Sequence, residues 1–150
     1  MDGPAITATL DRAEALCHAR GARLTAQRRQ VLALVLRAGR PVGAYELLDA
    51  LRQESAGAAP PTIYRALEFL MAQGLVHRIE TLHAFVGCDH PGEPHAGQFL
   101  ICRDCGAVRE VEDSAVRRSV LAAADATGFS AEHPVVEVRG RCARCAEAPR

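Results

Sequence analysis

At 150 residues, with 18 basic residues (all Arg) balancing 18 acidic ones, the chain is sized for one domain or two small ones. Its 49% apolar and 24% charged content excludes disorder, and zero net charge excludes a uniformly basic nucleic-acid coat. Four Phe, two Tyr and no Trp leave an aliphatic core, and the longest apolar run, Val31 to Leu36, is far too short for a membrane span.

Ile6, Leu10, Ala13 and Cys17 recur at helical spacing until Gly21, predicting a first helix with Cys17 inside. Thr25 caps a second helix carrying Val31, Leu32 and Val35, which ends near Gly39 and Pro41. A third runs from about Ala44 to Glu54 with Leu47, Leu48 and Leu51 inward. Pro60 and Pro61 open a fourth, where a missing N–H costs nothing; Ile63, Ala66, Leu67, Leu70 and Met71 form its apolar stripe and Gly74 closes it. Two strands follow, 75–80 and 83–87, joined by Thr81-Leu82. Helices followed by a hairpin make a winged helix-turn-helix. The rest reads strand (99–101), strand (107–111), helix (about 113 to 127) and strand (135–139). The fold class is therefore α+β, with a winged-helix domain at 1–88, a Pro- and Gly-rich linker at 89–97 and a small α/β domain at 98–150.

The amino terminus, Met1-Asp2-Gly3-Pro4, shows no targeting segment, so the expected compartment is the cytoplasm, with no membrane partner. Six cysteines in a reducing compartment point to metal ligands or redox thiols rather than disulfides. Cys102-x2-Cys105 and Cys142-x2-Cys145 are separated by 36 residues. Two such pairs complete a thiolate tetrahedron, so they predict a structural zinc with no open position for catalysis. Cys88 lies near His77, His83, Asp89, His90 and His95. A mixed thiolate, imidazole and carboxylate site suits Zn2+, though Fe2+, Co2+ or Ni2+ could use the same donors.

On the fourth helix Arg65 projects opposite the apolar stripe and Tyr64 from its flank. Arg can bond guanine bidentately in the major groove, and Tyr can reach a phosphate or a thymine methyl. No acid lies between Glu14 and Glu46, while Arg20, Arg23, Arg28, Arg29, Arg37 and Arg40 all do; this stretch is expected to neutralise phosphates.

The segments Arg23-Leu-Thr-Ala-Gln-Arg28, Ala44-Tyr-Glu-Leu-Leu48, Pro61-Thr-Ile-Tyr-Arg-Ala-Leu67, Gln73-Gly-Leu-Val-His77 and both CxxC pairs resemble the ferric uptake regulator family. The resemblance runs from about residue 8 to residue 146. Within the family it is greatest to the zinc uptake regulator branch, because Cys88 replaces part of a His/Asp cluster that follows the wing in the iron-sensing branch.

The resemblance implies a homodimeric, zinc-activated repressor of double-stranded operator DNA, with a C-terminal dimerisation domain and two Zn2+ per subunit. It places a regulatory zinc on His77, Cys88, His95 and Glu110, beside the structural zinc on Cys102, Cys105, Cys142 and Cys145. DNA contact falls to Tyr45, Thr62, Tyr64 and Arg65. His83, Asp89, His90 and His133 match a further site only incompletely.

An opposite-charge pair on the third helix, Asp49 and Arg52, could seat two dimers side by side on one operator. The alternatives are a family member sensing iron, manganese or nickel, and a zinc or CxxC redox enzyme. The enzyme reading lacks a His-Glu-x-x-His or deaminase-type motif.

Overall fold

The apolar stripes form helices because each finds another to bury against. The computed structural model describes residues 3–92 and 97–148, and the chain divides into two units at 93/94. The first unit contains α1 (Gly3–Ala19), α2 (Ala26–Ala38), α3 (Ala44–Glu54), α4 (Pro60–Ala72) and the strands β1 (Val76–Ile79) and β2 (Ala84–Gly87). Every apolar residue predicted to face inward on α1, α2 and α3 is buried, Cys17 among them. On α4, Ile63, Ala66, Leu67 and Leu70 are buried, while Met71 is only half-buried.

The ends follow local chemistry. The Thr25 side chain accepts the Arg28 N–H at 3.3 Å, capping α2, and Gly39 closes the helix at φ 60°, a left-handed conformation cheap only for glycine. Pro60 and Pro61 stand in the first turn of α4.

The wing departs from expectation. A 3-10 turn over Glu80–Leu82 shortens both strands, and His83 takes up the reversal at φ 48°. The hairpin thus needs four residues, not two, because Thr81-Leu82 lacks the chemistry of a two-residue turn. Val42 and Phe85 exchange backbone hydrogen bonds at 3.0 and 2.8 Å, tying the wing to the α2–α3 connection.

The second unit is a three-stranded sheet ordered β4-β3-β5, with β3 at Gly97–Cys102, β4 at Val108–Glu110 and β5 at Val135–Gly140. β3 pairs antiparallel with β4 and parallel with β5, which is reached through α5 (Ser114–Ala126). Asp113 caps α5, accepting the Ala115 and Val116 N–H groups at 2.8 and 3.2 Å. The buried Gln98 carboxamide donates to the Asp113 carbonyl at 2.9 Å and accepts its N–H at 3.1 Å.

A short helix not expected from sequence, α6 (Ala143–Glu147), follows β5. Among the described residues of this unit, only Gln98, Phe99, Ile101 and Cys102, all on β3, are buried. Among the described residues of the whole chain, no helix is long and apolar enough to cross a membrane.

Candidate metal centre and nucleic-acid interface

Cys102 ends β3, and Cys105 closes the turn after it. Cys142 precedes the first turn of α6, and Cys145 lies within that helix. The parallel register sets Cys102 beside Gly140, so the two knuckles meet at the same end of the sheet. All four sulfurs lie within 4.8 Å of one another, and Cys105 and Cys142 are 3.8 Å apart. Sulfurs held tetrahedrally about 2.3 Å from Zn2+ would be separated by about 3.8 Å, so the donor set fits the ion.

Backbone N–H groups face these sulfurs. Those of Cys142, at 3.3 Å, and Cys105 lower the Cys102 thiol from 9.0 to about 6, and that of Ala107 lowers Cys105. Cys145, sharing its proton with Cys142 and Cys105, is pushed up to about 12. Thiolate charge therefore gathers on the first knuckle, and an ion must displace a proton from the second.

On the wing, the Cys88 N–H bonds the Leu75 carbonyl at 3.0 Å, extending a register in which His77 faces Val86. His77 and Cys88 therefore lie diagonally on one face of the hairpin, both half-buried, with ligand atoms within 4.8 Å of each other. Glu110, half-buried, ends β4 in the second unit. His95 lies outside the described residues. Of the incomplete further set, His83 sits on the wing turn 3.3 Å from an Arg78 guanidinium nitrogen, and Asp89, His90 and His133 are exposed.

α4 turns its apolar face inward and leaves Tyr64 and Arg65 exposed, with Thr62 half-buried in its first turn. Arg65 Nε donates to the Pro61 carbonyl at 3.2 Å, which draws its guanidinium toward the start of the helix. Tyr45, in the first turn of α3, is 69% exposed.

The basic stretch does not behave as its charge suggested. Arg29 pairs with Asp11 at 2.7 Å and Glu14 at 3.0 Å, Arg37 with Glu54 at 3.3 Å, and Arg40 with Glu46. Arg20 donates to the Gln73 carbonyl at 2.8 Å, while Arg28 lies 3.8 Å over the Phe69 ring. Acids from outside the stretch fold back onto it and pair with three of its six arginines inside the domain.

A winged helix joined to a sheet unit that gathers four thiols defines a metal-dependent DNA-binding regulator. The Ferric uptake regulator family model matches residues 19–139, and the chain belongs to that family. The zinc uptake regulation protein of Escherichia coli is 42% identical over 139 residues, 92% of this chain and 81% of its own length.

The crystal structure of holo XcZur is 48% identical with a TM-score of 0.86, covering 93% of this chain and 97% of that one. A zinc uptake regulator complexed with zinc and DNA is 40% identical with a TM-score of 0.90, covering 95% of each chain.

Sequence reasoning missed the contacts around the cysteines, above all Asp104 and Arg141, whose side chains meet at 2.5 Å. Their positions inside and beside the CxxC pairs were visible, but no spacing rule links residues that far apart.

Proposed function

We propose that this chain is a zinc-responsive repressor of zinc-uptake genes, a regulator and not an enzyme. The observation that carries this reading is the His77–Cys88 pair, two metal donors built into the wing of a DNA-binding domain. The kinship with zinc uptake regulators, one of them solved with zinc and DNA, supports it. Residues 1–88 are the DNA-binding domain, 89–97 the linker and 98–150 the dimerisation domain.

Each subunit holds two Zn2+. Cys102, Cys105, Cys142 and Cys145 hold the structural ion; His77, Cys88, His95 and Glu110 hold the regulatory one. Zn2+ supplies a charge and a coordination template, while the chain supplies thiolate, imidazole and carboxylate donors whose mixture favours it. Zinc and operator DNA each bind the same conformation better, so each strengthens the other's binding by the same factor.

At the DNA, Arg65 reads a base in the major groove, and Tyr45, Thr62 and Tyr64 fix the register. The repressor is cytoplasmic and acts as a homodimer. In the second unit Leu100, Val116, Phe129, Val135 and Val138 are exposed and no residue of α5 is buried, which supports a partner subunit on that unit. Asp49 and Arg52, on the outer side of α3, seat a second dimer beside the first on a full operator.

The test is metal-titrated binding to promoter DNA from zinc-uptake genes. Zn2+ should produce tight binding at a free concentration where Fe2+, Mn2+ and Ni2+ do not. Equal or better activation by one of those ions would reassign the sensed metal, and metal-independent binding would overturn the reading.

A further inference from the structure

The two cysteine knuckles are joined by more than their sulfurs. Asp104 stands between Cys102 and Cys105, and Arg141 directly precedes Cys142. Arg141 Nε donates to Asp104 Oδ2 at 2.5 Å, and another nitrogen of the same guanidinium donates to the Cys145 carbonyl. One side chain therefore grips the carboxylate of the first knuckle and the backbone of the second. Beside it the Arg103 N–H bonds the Gly140 carbonyl at 2.9 Å, and Arg144 reaches Cys105.

We propose that Asp104 and Arg141 form a clasp that holds the two knuckles in the geometry of the four-sulfur site and limits how fast the ion leaves. The inference rests on the four cysteines being zinc ligands.

Three physical reasons support it. Four thiolates around a divalent ion carry two excess negative charges, and Arg144 places a positive one beside them. A carboxylate next to those thiolates would destabilise the site if left alone; Arg103 stands 3.7 Å from it, and the closer Arg141 neutralises it and turns it into a tether. The planar guanidinium then presents donors in a fixed fork, so it serves Asp104 and Cys145 together, which a Lys ammonium on its flexible stem does poorly.

An ordinary exposed ion pair contributes little. This one is more constrained, since the Arg141 side chain is 24% and the Asp104 side chain 39% exposed, and the guanidinium has a third partner. Releasing the ion requires the knuckles to part, and parting them breaks the clasp. Its effect therefore falls on metal dissociation. Asp104 and Arg141 are positioning residues that act through the cysteines.

The experiment uses the full-length protein. Zinc loss to excess chelator is timed with a colorimetric indicator, and Co2+ titration of the metal-free protein is followed by thiolate-to-cobalt charge-transfer absorbance. Asp104→Ala and Arg141→Ala should each speed the slow phase of zinc loss about tenfold or more and weaken the Co2+ isotherm. Arg141→Lys, which keeps the charge and gives a folded variant if the alanines do not, should fall between. The double alanine variant should lose zinc no faster than the faster single.

Single variants that release zinc within about twofold of wild type, as an ordinary surface pair would leave them, overturn the clasp. So do single effects that multiply in the double variant. A wild-type protein with no cobalt–thiolate band overturns the zinc reading itself, and the clasp with it.

Discussion

Arg65 and Arg28 differ in what their charge is used for. Arg65 stands on the exposed side of α4 and donates to a carbonyl of its own helix, whereas Arg28 stacks on Phe69 and donates to the Arg23 carbonyl at 2.8 Å. Arg65→Ala should therefore cost about 1–3 kcal/mol of operator affinity and relax discrimination at one base, read by competition between operator and scrambled duplex. Arg28→Ala should instead lower the thermal midpoint, because it strips packing from α4.

Cys88→Ser should leave the fold and the tightly held zinc in place yet abolish zinc-dependent operator binding. An unchanged zinc response would move the sensing site elsewhere. Acid should act on the other site. Hydrogen bonds from the backbone N–H groups of Cys142 and Cys105 hold Cys102 at about 6, below its ordinary 9.0. The charged thiolate's contribution is thus fully present above the ordinary value and is lost as pH falls through about 6. Zinc retention measured against pH should therefore hold at neutral pH and fall in acid below that value, because a proton must displace the ion as well as meet the thiolate.

At the scale of elements, what was legible in the sequence was what repeats or caps. α1 to α4 followed from apolar spacing, Thr25, the two prolines and Gly39, because these act within one turn of chain. The wing turn was not legible, since the left-handed conformation of His83 is set by the strands on either side. Nor was α6, whose five residues are too few to show a period.

The paired CxxC spacing announced the four-thiol cluster. Placing Glu110 and His95 with His77 and Cys88 depended on kinship, because no periodicity links them. Partners of charges were hidden for the same reason: nothing in the sequence says that Arg29 will reach back to Asp11 and Glu14. The same holds for Gln98, whose carboxamide pairs with both backbone groups of the residue capping α5. Gln98→Leu, which keeps the bulk and leaves the Asp113 groups without that partner, should destabilise the second unit by about 1–3 kcal/mol. Hydrogen exchange at the first turn of α5 should speed up accordingly.

Across the whole molecule, cohesion comes from two sources. The first unit rests on a mainly aliphatic core of twenty buried residues among those described, drawn from four helices, their connections and the wing. The second buries only Gln98, Phe99, Ile101 and Cys102 among its described residues, and the last of these belongs to the four-thiol cluster. A strong chelator should therefore melt the second unit while the helical signal of the first persists, leaving one calorimetric transition, that of the first unit. Simultaneous loss of both would mean that the units do not stand independently.

The sparse core around β3 has a consequence for how long the protein lasts. Urea or heat threatens the first unit much as it threatens any small helical domain. The second answers to the chemical potential of an ion, and each tenfold drop in free zinc removes up to about 1.4 kcal/mol of its cohesion once the ion can exchange. A protein that reports on zinc scarcity would then have more than a third of its own chain eroded by deep scarcity, its lifetime against proteolysis set by the quantity it measures.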